Sequence, residues 1–72
     1  MSRENGILRK NLAYLLSTLK YGENIIFTEA IGISPSTLTK WKQGKHLPDT
    51  HDKRLIAEYF GITTDVLMNK EL

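Results

Sequence analysis

The chain has 72 residues, no cysteine, 40% hydrophobic residues and a formal net charge of +2. That length allows one domain near the lower limit for a self-supporting core, so most apolar residues must go into packing. Disulfides and thiolate metal sites are excluded, His46 and His51 are too few and scattered for a zinc site, and no apolar run is long enough for a bilayer span.

Helix signals dominate from the start. Leu8, Leu12, Leu15, Leu16 and Leu19 form one helical stripe, with Arg9, Lys10, Asn11, Ser17 and Thr18 on other faces. Gly22 breaks this pattern after Tyr21. A second helix is expected from Glu23 or Asn24, with Asn24 as its cap and Ile26, Phe27, Ala30 and Ile31 on its inner face. Ile25 falls outside that stripe and reads either as a loosely buried residue or as a contact to a second subunit. Gly32 supplies the positive φ of a sharp stop.

Ser34-Pro35 restarts the chain. A serine N-cap followed by proline at the first helical position is a strong start signal, because that amide would be unpaired anyway. Leu38 and Trp41, three apart, form the inward anchor of this third helix, and Gly44 closes it. Its other faces carry Ser36, Thr37, Thr39, Lys40, Lys42 and Gln43. Pro48-Asp49 opens a fourth helix, capped by Asp49, with Leu55, Ile56, Tyr59 and Phe60 as its stripe and Gly61 at its end. Thr63 or Thr64 caps a last short helix carrying Val66, Leu67 and Met68, and the tail from Asn69 to Leu72 is expected to fray. The reading is all-α: five helices in one compact domain over 1–72, with its core at about 7–68. No segment alternates with period two, and there is no repeat or low-complexity stretch.

Charge is distributed unevenly. Between Ser34 and Pro48 lie Lys40, Lys42, Lys45 and His46 with no acid, while Glu4, Glu23, Glu29, Glu58, Asp65 and Glu71 lie elsewhere. A local basic patch suits a polyanion met by one face; the alternative is a solvated lysine surface. The two short helices joined by Ile31-Gly32-Ile33 are either a plain helical hairpin or a DNA-reading helix-turn-helix over about 24–43. The strong N-cap, the small apolar anchor and the polar N-terminus of the third helix favour DNA, since free amides there meet phosphate.

Phe27, Ile31, Gly32, Ile33, Ser34, Leu38, Trp41, Gly44 and Pro48 resemble the pattern of the lambda-repressor-like domains, the Cro/C1-type (XRE) helix-turn-helix family. The stretch Ile56 to Ile62 followed by Asp65-Val66-Leu67 is similar to that family's fourth and fifth helices. Three positions depart: Thr28 replaces the usual alanine and needs a partner for its hydroxyl, Asn24 replaces glutamine, and Lys53 stands where an apolar residue is common. The resemblance implies a compact five-helix domain whose second and third helices form the helix-turn-helix. It also implies that Pro35, Ser36, Thr39 and Lys40 face base edges, with Thr37 at the groove wall. Lys40 can donate to guanine O6 and N7, a contact worth about 1–3 kcal/mol of discrimination. Asn24, Thr37, Lys42, Gln43, Lys45 and His46 are placed at the DNA backbone, where contacts set register and affinity.

The expected function is a sequence-specific, double-stranded DNA-binding transcriptional regulator in the cytoplasm, nucleoid-associated when bound. A phage or mobile-element repressor or an antitoxin-type regulator is the expected setting, with a palindromic operator and a weak homodimer on DNA for which Val66, Leu67 and Met68 are the candidate contacts. The alternative is a helical protein-interaction module. No catalytic constellation, cofactor site, small-molecule substrate or membrane partner is expected.

Overall fold

The computed structural model describes the backbone of residues Arg3–Leu72 and the side chains from Gly6 onward, so Glu4 lies outside the described side chains. Within that range it is all-helical: α1 (Arg3–Ser17), α2 (Glu23–Ile31), α3 (Pro35–Lys42), α4 (Thr50–Phe60) and α5 (Thr64–Asn69). α1 packs on α3 and α5, α2 on α3 and α4, and α4 on α5. The core joins Leu8, Leu12, Leu15 and Leu16 of α1 to Phe27, Ile31, Leu38, Trp41, Ile56 and Leu67. Phe27 is its centre. Tyr59 meets that ring edge-on with centroids 5.0 Å apart, and the Phe60 centroid lies at 5.8 Å, favourable aromatic geometries that lock α2 to α4.

The expected caps form at three helices. Ser34 accepts from the Thr37 amide at 3.2 Å, Asp49 from the Asp52 amide at 2.8 Å, and Thr63 from the Val66 amide at 3.1 Å. Gly32, at φ 83°, ends α2 with its own amide and that of Ile33 both donating to the Thr28 carbonyl. An L side chain rarely adopts that conformation, which is why the turn takes glycine. Thr28 is buried, and its hydroxyl donates to the Ile25 carbonyl at 2.8 Å, the backbone partner its position demanded.

Four expectations need correction. Ile26 is 59% exposed and Ala30 is exposed, because Thr28 rather than Ile26 completes the buried face with Phe27 and Ile31. Asn24 does not cap α2: the helix begins one residue earlier, after Gly22 at φ 95°, with no side-chain cap. Asn11 is not on an outer face but 2% exposed. Finally, the tail is held rather than frayed. The Asn11 amide donates to the carbonyls of Leu67 at 2.7 Å and Lys70 at 2.6 Å, and its oxygen accepts from the Leu72 amide at 3.0 Å. A buried side-chain amide is stable there only because its donors and acceptor are matched.

Candidate nucleic-acid interface

The third helix is built as a two-sided element. Leu38 and Trp41 are buried, whereas Pro35, Ser36, Thr39 and Lys40 are all exposed. At about 100° per residue these four lie on the side opposite Leu38 and Trp41, within one band of roughly 140°. Burying the anchor under α1 and α2 therefore projects the polar set outward as one surface. Thr37 is half-buried at the margin of that surface.

Hydrogen bonds within the helix divide the exposed residues by what they can offer. The Thr39 hydroxyl donates to the Pro35 carbonyl at 3.1 Å, leaving its lone pairs and methyl outward. The Thr37 hydroxyl is paired with Ser34 at 3.1 Å. Ser36 and Lys40 have no side-chain partner among the described residues, so they are the free donors of the surface.

Asn24 and Lys42, both placed at the DNA backbone by the sequence, come together. The Lys42 ammonium donates to Asn24 Oδ1 at 2.9 Å across the α2–α3 junction. Lysine can only donate, so the amide oxygen must face it, and among the described residues neither amide hydrogen of Asn24 has an acceptor. Just beyond Lys42, at the same C-terminal end of α3, Gln43 is the capping residue, and Gly44 at φ 74° turns the chain so that the Lys45 amide donates to the Lys40 carbonyl at 3.0 Å. Gln43, Lys45 and His46 are exposed there.

Two features of this edge were not read from the sequence. Arg9 of α1 donates from its guanidinium to the Gly44 carbonyl, fastening the turn that carries Lys45 and His46. No local signal could reveal a contact between residues 35 apart. The basic stretch is also bordered by acids. A cleft of about 310 Å³ between α3 and the start of α4 is lined by Lys40 and His46 and equally by Asp49 and Asp52. Burial, and then the neighbouring Asp49 carboxylate, push the Asp52 carboxyl above its ordinary value of 3.8, with His51 partly opposing. The signal was present as Asp49 and Asp52 just past Pro48, but only packing folds them back to line one cleft with Lys40.

Of the residues suggested for a subunit contact, Leu67 is fully buried in the core, which removes it; Val66 and Met68 are half-buried. Exposed apolar surface lies instead at Tyr21, Ile25 and Ile26. Among the described residues no group of three His, Asp or Glu side chains could hold a metal ion, and no helix is long and apolar enough to cross a membrane.

A family model described as helix-turn-helix matches residues 28–67, more than half of the chain. That span contains all of α3 and α4 and their flanking turns. No curated protein and no solved structure matches the chain.

Proposed function

We propose that this chain, which belongs to the Cro/C1-type helix-turn-helix family, is a sequence-specific transcriptional regulator that reads the DNA major groove with α3 and its capping residue Gln43. The observation that carries this reading is the outward band of Pro35, Ser36, Thr39 and Lys40 over a buried Leu38–Trp41 anchor. A helix presented in this way fits the groove while its base stays rigid. Asn24 paired with Lys42, together with Gln43, Lys45 and His46, stand at the C-terminal end of that band as backbone contacts. They supply affinity and register, and Lys40 supplies most of the discrimination.

The chain acts as one DNA-binding unit over its 72 residues, in the cytoplasm and on the nucleoid, without catalysis or a small-molecule substrate. A phage or mobile-element repressor is the setting we infer, with a weak dimer formed on a palindromic operator. A single strong donor on the reading face implies modest intrinsic specificity, with DNA shape adding the remainder.

The test is selection from random duplex DNA with the wild type and Lys40→Ala at two salt concentrations. The reading requires that the wild type enriches a motif and that Lys40→Ala relaxes one guanine position with little change in salt slope. If nothing enriches and all binding collapses uniformly with salt, the surface is only a non-specific polyanion patch. The second reading, a protein-interaction module, would then lead, supported by exposed Tyr21, Ile25 and Ile26.

A further inference from the structure

The cleft between α3 and α4 sets opposite charges against each other at the edge of the reading surface. Lys40 enters it from α3 and His46 from the connecting turn, while Asp49 and Asp52 enter from the start of α4. Asp49 is engaged as a helix cap, accepting from the Asp52 amide at 2.8 Å. The Asp52 side chain has no hydrogen-bond or ion-pair partner among the described residues. Of its charged neighbours, Asp49 opposes its charge and His51 partly favours it. Its carboxylate therefore stands in the cleft without a direct partner.

We propose that Asp52 is an affinity-limiting residue of the DNA interface, opposing the phosphate backbone beside Lys40 and His46 and so holding down binding to every duplex. This rests on the DNA-reading function proposed above. Phosphate attraction is the sequence-independent part of binding, and a carboxylate among the cations subtracts from it. The hydrogen bonds from Lys40 to guanine depend on short-range geometry and are left intact. Asp52 thus acts on affinity, not on which sequence is preferred. Its raised pKa agrees with this picture, because its surroundings already disfavour the charge it carries. When pH falls through its titration, that opposition disappears.

The experiment measures equilibrium binding of the wild type, Asp52→Asn and Asp52→Ser to two duplexes. One carries the motif selected by the wild type; the other is a scramble of the same composition. Both variants are expected to bind both duplexes roughly two- to five-fold more tightly, as for removal of one partly exposed like charge, with the same motif preference. Removing a carboxylate that its environment disfavours does not endanger folding, and thermal melting of both variants verifies this. On acidification the wild type should gain more affinity than Asp52→Asn, since His46 and His51 are common to both and only the wild type has Asp52 to protonate. A wild type that selects a motif, with variants that bind no more tightly, overturns the role of Asp52 alone. A wild type that selects no motif overturns the DNA-reading function itself.

Discussion

Replacing Asn11 by alanine should separate the C-terminal segment from the body of the protein. Three good hydrogen bonds depend on this one side chain: to Leu67 at 2.7 Å, to Lys70 at 2.6 Å and from Leu72 at 3.0 Å. The Leu67 contact is buried, so its carbonyl loses a partner that water cannot easily replace, a loss of about 1–3 kcal/mol. The other two are partly buried, and water recovers part of each, leaving about 0.5 kcal/mol apiece. The sum is about 2–4 kcal/mol, against a total stability of roughly 4–11 kcal/mol for a chain of this length. A domain of this size loses roughly 4–8 °C in melting temperature per kcal/mol, so a fall of about 10 °C or more is expected. Urea denaturation followed by circular dichroism gives the free energy directly, and amide exchange at Leu67 and Leu72 shows where protection is lost. Asn11→Asp keeps the size and the acceptor but sets an oxygen against two carbonyls, so it should destabilise at least as much. A loss below about 0.5 kcal/mol for alanine, or an aspartate variant as stable as the wild type, would refute the clamp.

Three further outcomes are expected. Ser34→Ala removes the acceptor of the Thr37 amide and should lower stability by about 1 kcal/mol in urea denaturation, with Ser34→Gly less harmful. Gly44→Ala forces an L side chain to φ 74° and brings its Cβ to 3.4 Å from the Arg9 guanidinium; the expected loss is about 1–2 kcal/mol, measured in the same way. For pH, the Asp52 carboxyl is raised by burial and by Asp49, so the folded state holds its proton more tightly than the unfolded state. Ionised Asp52 therefore opposes folding at neutral pH, and that opposition is relieved as pH falls through the folded value towards the ordinary 3.8. The urea midpoint of Asp52→Asn should exceed that of the wild type at pH 7, and the two should converge on acidification.

Most of the fold was legible because its signals are short-range. The caps at Ser34, Asp49 and Thr63 each bind an amide three residues ahead, and Gly32 and Gly61 stop helices whose last carbonyls lie within five residues. The buried stripes of α1, α3 and α4 follow the helical period. α2 was harder, since a nine-residue helix rich in apolar side chains has no single stripe, and Ile26 and Thr28 compete for the inner position. The exposed polar face of α3 was legible for the same local reason: once Leu38 and Trp41 face inward, Pro35, Ser36, Thr39 and Lys40 must face outward.

By itself, then, the sequence determined the five helices, their boundaries to within a few residues, and the outward face of the third. Each depends on backbone conformation and side-chain periodicity over a handful of positions. Tertiary structure alone decided that Asn11 closes on Leu72, that Arg9 fastens the turn at Gly44, that Asn24 holds Lys42, and that Asp52 lines one cleft with Lys40. The first three join residues 61, 35 and 18 positions apart. The fourth depends on the angle at which the α3–α4 turn folds back. Polar partners at such separations leave no periodic trace in the chain, because they are chosen by how the helices pack.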